Sequence, residues 1–355
     1  MVTNADTIDP FIFLYITEEC QLRCKHCYVG ERLERGSVMP LSMISSILRS
    51  MQTLYGHRRV YFLGGEPTLH PEFAAALRIA KDEGYRVIVT SNGIIPQRRW
   101  DDIINGSIDE LSFSLDGAKA STHEFLRGRN TFPPLLTSIQ KSVSAGILTR
   151  LICTITKHNE TELEELAALC DELQVRTLSL HYFTPTGNGQ GHKDLQLSPA
   201  EWRAFGTRVE AIARRSDVTI FYPPAFCESE KVELLTSRGY RGCTARNLER
   251  LAFFPDGRCY ICSAFFDTDL HYGRFVDGRI VPRMSLRTEL SLVNEMSPSC
   301  GGCKVRNSCR GGCAAYDHFD RTHPSATCSG EIVPICPLWS TAAGRDADPT
   351  VHFLR

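Results

Sequence analysis

Three cysteines within eight residues, Cys20-x3-Cys24-x2-Cys27, put three thiols on one short segment. Three thiolates on a four-iron cubane leave one iron open, whereas a closed electron-transfer cluster takes four cysteines. Zinc is the rival for short cysteine spacings and needs a fourth ligand, for which His26 is available. Packing against a bound cofactor is an equal use for an imidazole between two ligands.

A second cysteine field lies in the last third of the chain. Its densest part is Cys300-x2-Cys303-x5-Cys309-x3-Cys313, preceded by Cys243, Cys259 and Gly257-x4-Cys262 and followed by Cys328 and Cys336. The 355 residues contain 15 cysteines, and the N-terminal Met-Val-Thr-Asn-Ala-Asp lacks the basic then apolar pattern of an export signal. Structural disulfides are rare in a reducing compartment, so clustered cysteines at both ends point to separate metal sites, iron–sulfur or zinc. Only Cys153, Cys170 and Cys227 stand apart. The first two read as small hydrophobes in a strand and a helix. Cys227 reads as a packing or surface residue.

Composition narrows the partners. Hydrophobic residues make up 42% and charged residues 23%, with a net charge of −1. That balance gives no electrostatic reason to expect nucleic acid or an anionic membrane as partner. No apolar run approaches the roughly 20 residues that span a bilayer. The expected location is cytoplasmic.

The elements that must position these cysteines alternate between two periods. Strands are expected at Phe11–Thr17, Val60–Leu63, Arg86–Thr90, Glu110–Leu115, Leu148–Thr156 and Val175–Tyr182. Helical periodicity covers Leu41–Tyr55, Pro71–Glu83, 132–145, 160–173 and Ser198–Arg215. Repeated βα units predict an α/β fold with a parallel sheet curved into a partial (β/α)6 TIM-like barrel. Ligands of such folds collect where strands end. The cysteine loop, Gly64-Gly65-Glu66-Pro67, Thr90-Ser91-Asn92-Gly93 and Ser114–Gly117 all fall there. After Cys243 the chain is loop-rich, and bound metal would supply much of its stability. The expected layout is a barrel over 1–215, a linker over 216–240, a cysteine-rich domain over 241–340 and a tail over 341–355.

Cys20, Cys24 and Cys27 after a first strand, with Gly64-Gly65-Glu66-Pro67 and Ser112-Phe-Ser-Leu-Asp-Gly117, resemble the radical S-adenosylmethionine superfamily over residues 11 to about 190. The C-terminal field resembles the small SPASM domain, which carries auxiliary iron–sulfur clusters. The resemblance implies a [4Fe-4S] cluster on Cys20, Cys24 and Cys27 whose open iron binds S-adenosylmethionine. An electron from that cluster would then release methionine and a 5′-deoxyadenosyl radical. It implies cofactor contacts from His26, Gly64, Gly65, Glu66 and Pro67, with Glu66 toward the methionyl amine. Ser91, Asn92, Ser114 and Asp116 would lie near ribose and carboxylate. Arg127 would pair with the carboxylate or be an exposed helix residue, and Asp116 is alternatively a turn residue. A near auxiliary cluster would take Cys243, Cys262 and Cys313, with Cys259 as a fourth ligand. A far one would take Cys300, Cys303 and Cys309, completed by Cys336 or Cys328.

Enzymes of this pattern usually modify ribosomal peptides or proteins by crosslinking, oxidation, epimerisation or decarboxylation, in natural-product maturation. About ten residues precede the first strand, which leaves no room there for a peptide-recognition domain. A radical enzyme acting on a sugar or nucleoside in antibiotic biosynthesis is therefore the second expectation. A non-catalytic iron–sulfur or zinc redox sensor is the third, and the cofactor motifs speak against it. An external electron donor such as flavodoxin or ferredoxin is implied. No catalytic acid, base or hydrogen donor is named by the sequence.

Overall fold

The computed structural model describes residues 11–237, 240, 242, 250–266, 268–283, 304–309, 313, 332–333 and 341–343. Cys243, Cys300, Cys303, Cys328 and Cys336 lie outside the described residues.

β1 (Phe11–Thr17), β2 (Arg59–Gly64), β3 (Arg86–Ser91), β4 (Glu110–Ser114), β5 (Thr149–Ile155), β6 (Thr177–Tyr182) and β7 (Thr219–Tyr222) lie side by side in chain order. Each is parallel to the next. Their connections carry α1 (Leu41–Tyr55), α2 (Phe73–Asp82), the short α3 (Trp100–Asp102), α4 (Ala120–Arg127), α5 (Phe132–Ser144), α6 (Leu163–Glu172) and α7 (Pro199–Ala213). This is the expected α/β architecture, a parallel sheet curved into a partial barrel, and each expected strand is present within two residues.

The strands are apolar on both faces because helices cover the sheet, and β1 is buried at all positions but Phe13. Helix α1 shows how a helix is cut to length. Ile44, Ile47, Leu48 and Met51 form its buried stripe, and Gly56 ends it in the left-handed region at φ 70°. The Gly56 N–H bonds to the carbonyls of Gln52 and Met51. Helix α7 begins at a reciprocal cap between Ser198 and Glu201.

The structure differs from the expected layout after residue 215. The stretch 216–240, read as a linker, contains β7, β8 (Cys227–Glu228) and α8 (Ser229–Ser237). Four residues running into Pro223-Pro224 are too few to show a strand period, so only pairing with β6 reveals β7. Next come β9 (Arg250–Phe253), β10 (Arg258–Tyr260), β11 (Gly273–Val276) and β12 (Arg279–Pro282), then α9 (Arg306–Cys309), β13 (Ile332–Val333) and β14 (Thr341–Ala343).

These late strands are continuous with the main sheet. β9 runs parallel to β1, with Phe11 opposite Arg250, and β10–β12 follow it as antiparallel neighbours. At the other edge β14 pairs antiparallel with β7, where a tail was expected. One apolar cluster joins Phe11, Tyr61 and Ile88 to Val232 and Leu235 of α8 and to Val305 and Cys309 beside α9. In a separate two-stranded sheet, Cys227 of β8 stands opposite Val333 of β13.

Candidate active site

The C-terminal end of β1 is shaped so that the cysteine loop can leave it. The β1–β2 register shifts between Tyr15 and Thr17, which brings Thr17 opposite Gly64. Beyond the strands the backbones stay in contact, Gly65 N donating to Thr17 O at 2.9 Å and Glu66 N to Glu19 O at 2.8 Å. This approach requires glycine. A Cβ on Gly64 would stand 2.3 Å from Thr17 O, and one on Gly65 would stand 2.3 Å from Glu19 O and 2.6 Å from the Cys20 Cβ.

A second segment grips the loop from its far side. Asn188 N donates to Cys27 O at 2.9 Å, and Asn188 Nδ2 to Cys24 O at 3.2 Å. Lys25 N donates to Leu126 O at the end of α4. Gly187, at φ 56°, lies so close that a Cβ would be 2.4 Å from Cys27 O. The glycines of 186–194 are visible in the sequence, but nothing local connects them to a loop 160 residues away.

Cys20, Cys24 and Cys27 are half-buried and free, and all three line one cavity of about 970 Å³. Gly64, Gly65, Ser91, Asn92, Ser114, Arg127 and His26 line it too. Asn92 Nδ2 lies 3.7 Å from the Cys20 Sγ, and Arg127 Nη1 lies 4.0 Å from the Cys24 Sγ. Burial pushes the Cys20 thiol up to about 11 and the Cys24 thiol to about 12. Thiols this protonated become ligands when a metal cation displaces the proton. Among the described residues no three His, Cys, Asp or Glu side chains converge as a single-ion site.

Three expected cofactor contacts instead stand behind the lining. Glu66 is wholly buried and spends its carboxylate within the protein. Its Oε1 accepts from Thr68 N at 3.2 Å, Thr68 Oγ1 at 2.7 Å and Ser91 Oγ at 3.0 Å, and its Oε2 from Asn92 N at 2.8 Å. Pro67 opens the short helical turn that follows it. Asp116, also wholly buried, accepts from Arg127 Nε at 2.5 Å, pairs with His26 Nε2 at 3.1 Å and takes Thr154 N at 2.7 Å. Burial alone would raise its pKa. Arg127 and His26 outweigh that and hold the carboxyl well below the usual range. Arg127 is therefore no exposed helix residue: its side chain is 10% exposed, and it joins the carboxylate to the cysteine loop. His26 keeps a buried Nδ1 with no hydrogen-bond partner.

The C-terminal cysteines divide between places. Cys262 and Cys313 line the same cavity as the cysteine loop. Cys259 is fully buried on β10 away from that lining, its thiol raised by burial alone. Cys309 packs in the apolar cluster with Cys227. Arg32 couples the two halves. It donates to Tyr260 OH at 2.6 Å, to Phe266 O at 3.0 Å and to Glu18 Oε1 at 3.2 Å.

Among the described residues the cavity lining includes Arg127, Arg150, Lys157, Lys193 and Arg250, and no aspartate or glutamate. Among the described residues no helix is long and apolar enough to cross a membrane.

Residues 14–170 match the model of the Radical SAM superfamily. The AdoMet-dependent heme synthase of Nitratidesulfovibrio vulgaris is 24% identical over 192 residues, 53% of this chain and 52% of its own length, so the chain spans about half of that relative. The mycofactocin maturase MftC of Mycobacterium ulcerans is 26% identical over 316 residues, 86% of this chain and 82% of its own. The crystal structure of Streptococcus suis SuiB bound to precursor peptide SuiA superposes with a TM-score of 0.71 at 19% identity, covering 90% of this chain and 74% of that one.

Proposed function

From the premise that residues 14–170 are a radical SAM domain, we propose that the chain is a radical S-adenosylmethionine enzyme that modifies a ribosomal peptide or protein side chain. The observation that carries the reading is the single cavity lined by Cys20, Cys24 and Cys27 together with Ser91, Asn92, Ser114 and Arg127. A [4Fe-4S] cluster bound there supplies the electron that cleaves S-adenosylmethionine and so starts hydrogen abstraction from the substrate.

The protein's own part is positional. Cys20, Cys24 and Cys27 would hold the cluster, and Gly64 and Gly65 let the neighbouring strand end lie against their loop. Glu66 fixes Ser91 and the Asn92 backbone, which present polar edges to the cofactor. Arg127 places a cation beside Cys24, where a cofactor carboxylate can meet it.

Support for a peptide substrate comes from coverage. The mycofactocin maturase MftC aligns along 86% of this chain and the heme synthase along 53%, and the SuiB structure that covers 90% of this chain is bound to a precursor peptide. In keeping with this, Cys262 and Cys313 are read as ligands of a near auxiliary cluster with Cys243. Cys300, Cys303 and Cys309 are read as ligands of a far one, completed by Cys336 or Cys328. Cys259 is read as the fourth ligand of the near cluster. Crosslink, oxidation and epimerisation remain the reaction types to separate, with a sugar or nucleoside enzyme as the second reading.

Anaerobic reconstitution followed by dithionite and S-adenosylmethionine tests the reading directly. The protein should release 5′-deoxyadenosine, and a Cys24→Ala variant should release none. Equal release from both would refute it. Iron should reach about twelve atoms per chain if three four-iron clusters form. About four iron atoms with bound zinc would refute the auxiliary assignment.

A further inference from the structure

Arg250, the first residue of β9, differs from the other cations of the cavity wall. The rest are compensated or wet. Arg127 is held by Asp116, and Arg150 donates to Glu110 Oε1 at 2.6 Å. Lys157 stands 3.5 Å from Glu201, and Lys193 is exposed. Arg250 is only 4% exposed, yet its Nη2 has no hydrogen-bond partner. Among the described residues the lining contains no aspartate or glutamate. Its guanidinium carbon lies 5.7 Å from the centre of the Phe13 ring.

A guanidinium cannot shed its proton to relieve such a position. Burying an unpaired charge is costly, and an anion is the ligand that would offset that cost. Strand register puts Arg250 opposite Phe11 at the start of β1, whereas the cysteine loop leaves the other end of that strand. The side chain reaches from there over the Phe13 ring, and its charge is felt at the Tyr15–Tyr28 hydroxyl pair. His181, on the same lining, also has a buried Nε2 without a partner. Around them the wall is aromatic, with Phe13, Tyr61 and Phe226.

We propose that Arg250, with His181 beside the same cavity, anchors a carboxylate of the substrate, carried next to an apolar or aromatic group. The substrate class is then a peptide read by its C-terminal carboxylate or by an acidic side chain. This inference rests on the radical-enzyme reading of the cavity and adds the charge of what enters it. A bidentate guanidinium–carboxylate pair would fix the substrate's position and orientation within the cavity.

The test uses reconstituted holoenzyme and two small probes, N-acetylphenylalanine and its C-terminal amide, measured by anaerobic titration calorimetry. The acid should bind about ten- to a hundredfold tighter than the amide, as expected when a charge-assisted bond is made to a buried cation. Arg250→Gln should abolish that preference and Arg250→Lys should keep part of it, with the affinity for S-adenosylmethionine unchanged in both. Equal binding of acid and amide by the unmodified enzyme overturns the proposal, as does undetectable binding of the acid, and neither result depends on a variant folding. Loss of S-adenosylmethionine affinity in Arg250→Gln, with the acid preference intact, overturns it too, because the cation would then serve the cofactor. Release of 5′-deoxyadenosine is followed in parallel. Its presence without an acid preference refutes the carboxylate anchor alone, and its absence refutes the radical reading itself.

Discussion

His26 Nε2 and Asp116 Oδ2 stand 3.1 Å apart, and the same oxygen receives Arg127 Nε at 2.5 Å. One buried carboxylate after β4 therefore steers a side chain inside the cysteine loop and a cation at the end of α4. Removing its charge by Asp116→Asn leaves Arg127 buried without its counter-ion, which should cost about 3–5 kcal/mol. Because the folded pKa is depressed, this stabilisation is complete above the unfolded value of 3.8 and is lost progressively as pH falls from there to the lower folded value. Urea unfolding at pH 7 should show the full loss, and a midpoint equal to the wild type would contradict the assigned role.

Glu66→Gln replaces an acceptor that serves four donors with an amide that must present N–H to one of them. An unsatisfied buried donor costs about 1–3 kcal/mol. The displaced segment is Ser91–Asn92, so S-adenosylmethionine affinity should fall about five- to a hundredfold while iron content holds. Anaerobic titration against iron analysis separates the two, and a parallel loss of iron would count against this division of labour.

Gly65→Ala should act on the cluster instead. The new Cβ would lie 2.3 Å from Glu19 O and 2.6 Å from the Cys20 Cβ, so the strand end or the loop must move. Iron retained after reconstitution should drop well below wild type, with the S-adenosylmethionine contacts of β3 intact. Absorbance near 400 nm per chain reads the outcome, and undiminished absorbance would show that the loop has slack.

Arg32→Met cuts the tie between the cysteine-loop side and the C-terminal strands. It strands the buried carboxylate of Glu18 and removes donors from Tyr260 OH and Phe266 O. We expect a loss of about 3–5 kcal/mol and faster proteolysis after β9. A digestion pattern matching wild type would argue that β9–β1 pairing alone joins the halves.

Burial lowers both His123 and His181 to about 4, against an unfolded value of 6.5. Between those values the unfolded chain holds more protons, so stability falls as pH drops from about 6.5 toward about 4 and is flat above. Each imidazole contributes a slope of up to about 1.4 kcal/mol per pH unit. Denaturation midpoints at pH 7.5, 6 and 5 should show this, and His181→Gln should lower the slope.

The cofactor end of the site was legible because its residues are adjacent in sequence. Cys20, Cys24 and Cys27 share eight residues, and the glycines, Ser91, Asn92 and Ser114 sit at strand ends that the two periods reveal. The supports were not legible. Glu66 and Asp116 read as cofactor contacts from the sequence, and the structure adds that their oxygens bond Thr68, Ser91, Asn92, His26 and Arg127. β7 was hidden because four residues show no period.

The sequence by itself determined the βα alternation, the motifs at the strand ends and the two cysteine fields, because periodicity and spacing are local properties of a chain. Only the tertiary structure decided that β9 joins β1, that Asn188 clasps a loop 160 residues away and that Arg250 stands buried on a lining with no aspartate or glutamate among the described residues. Those facts depend on which distant groups share a neighbourhood, and a buried charge or a saturated oxygen is defined by that neighbourhood.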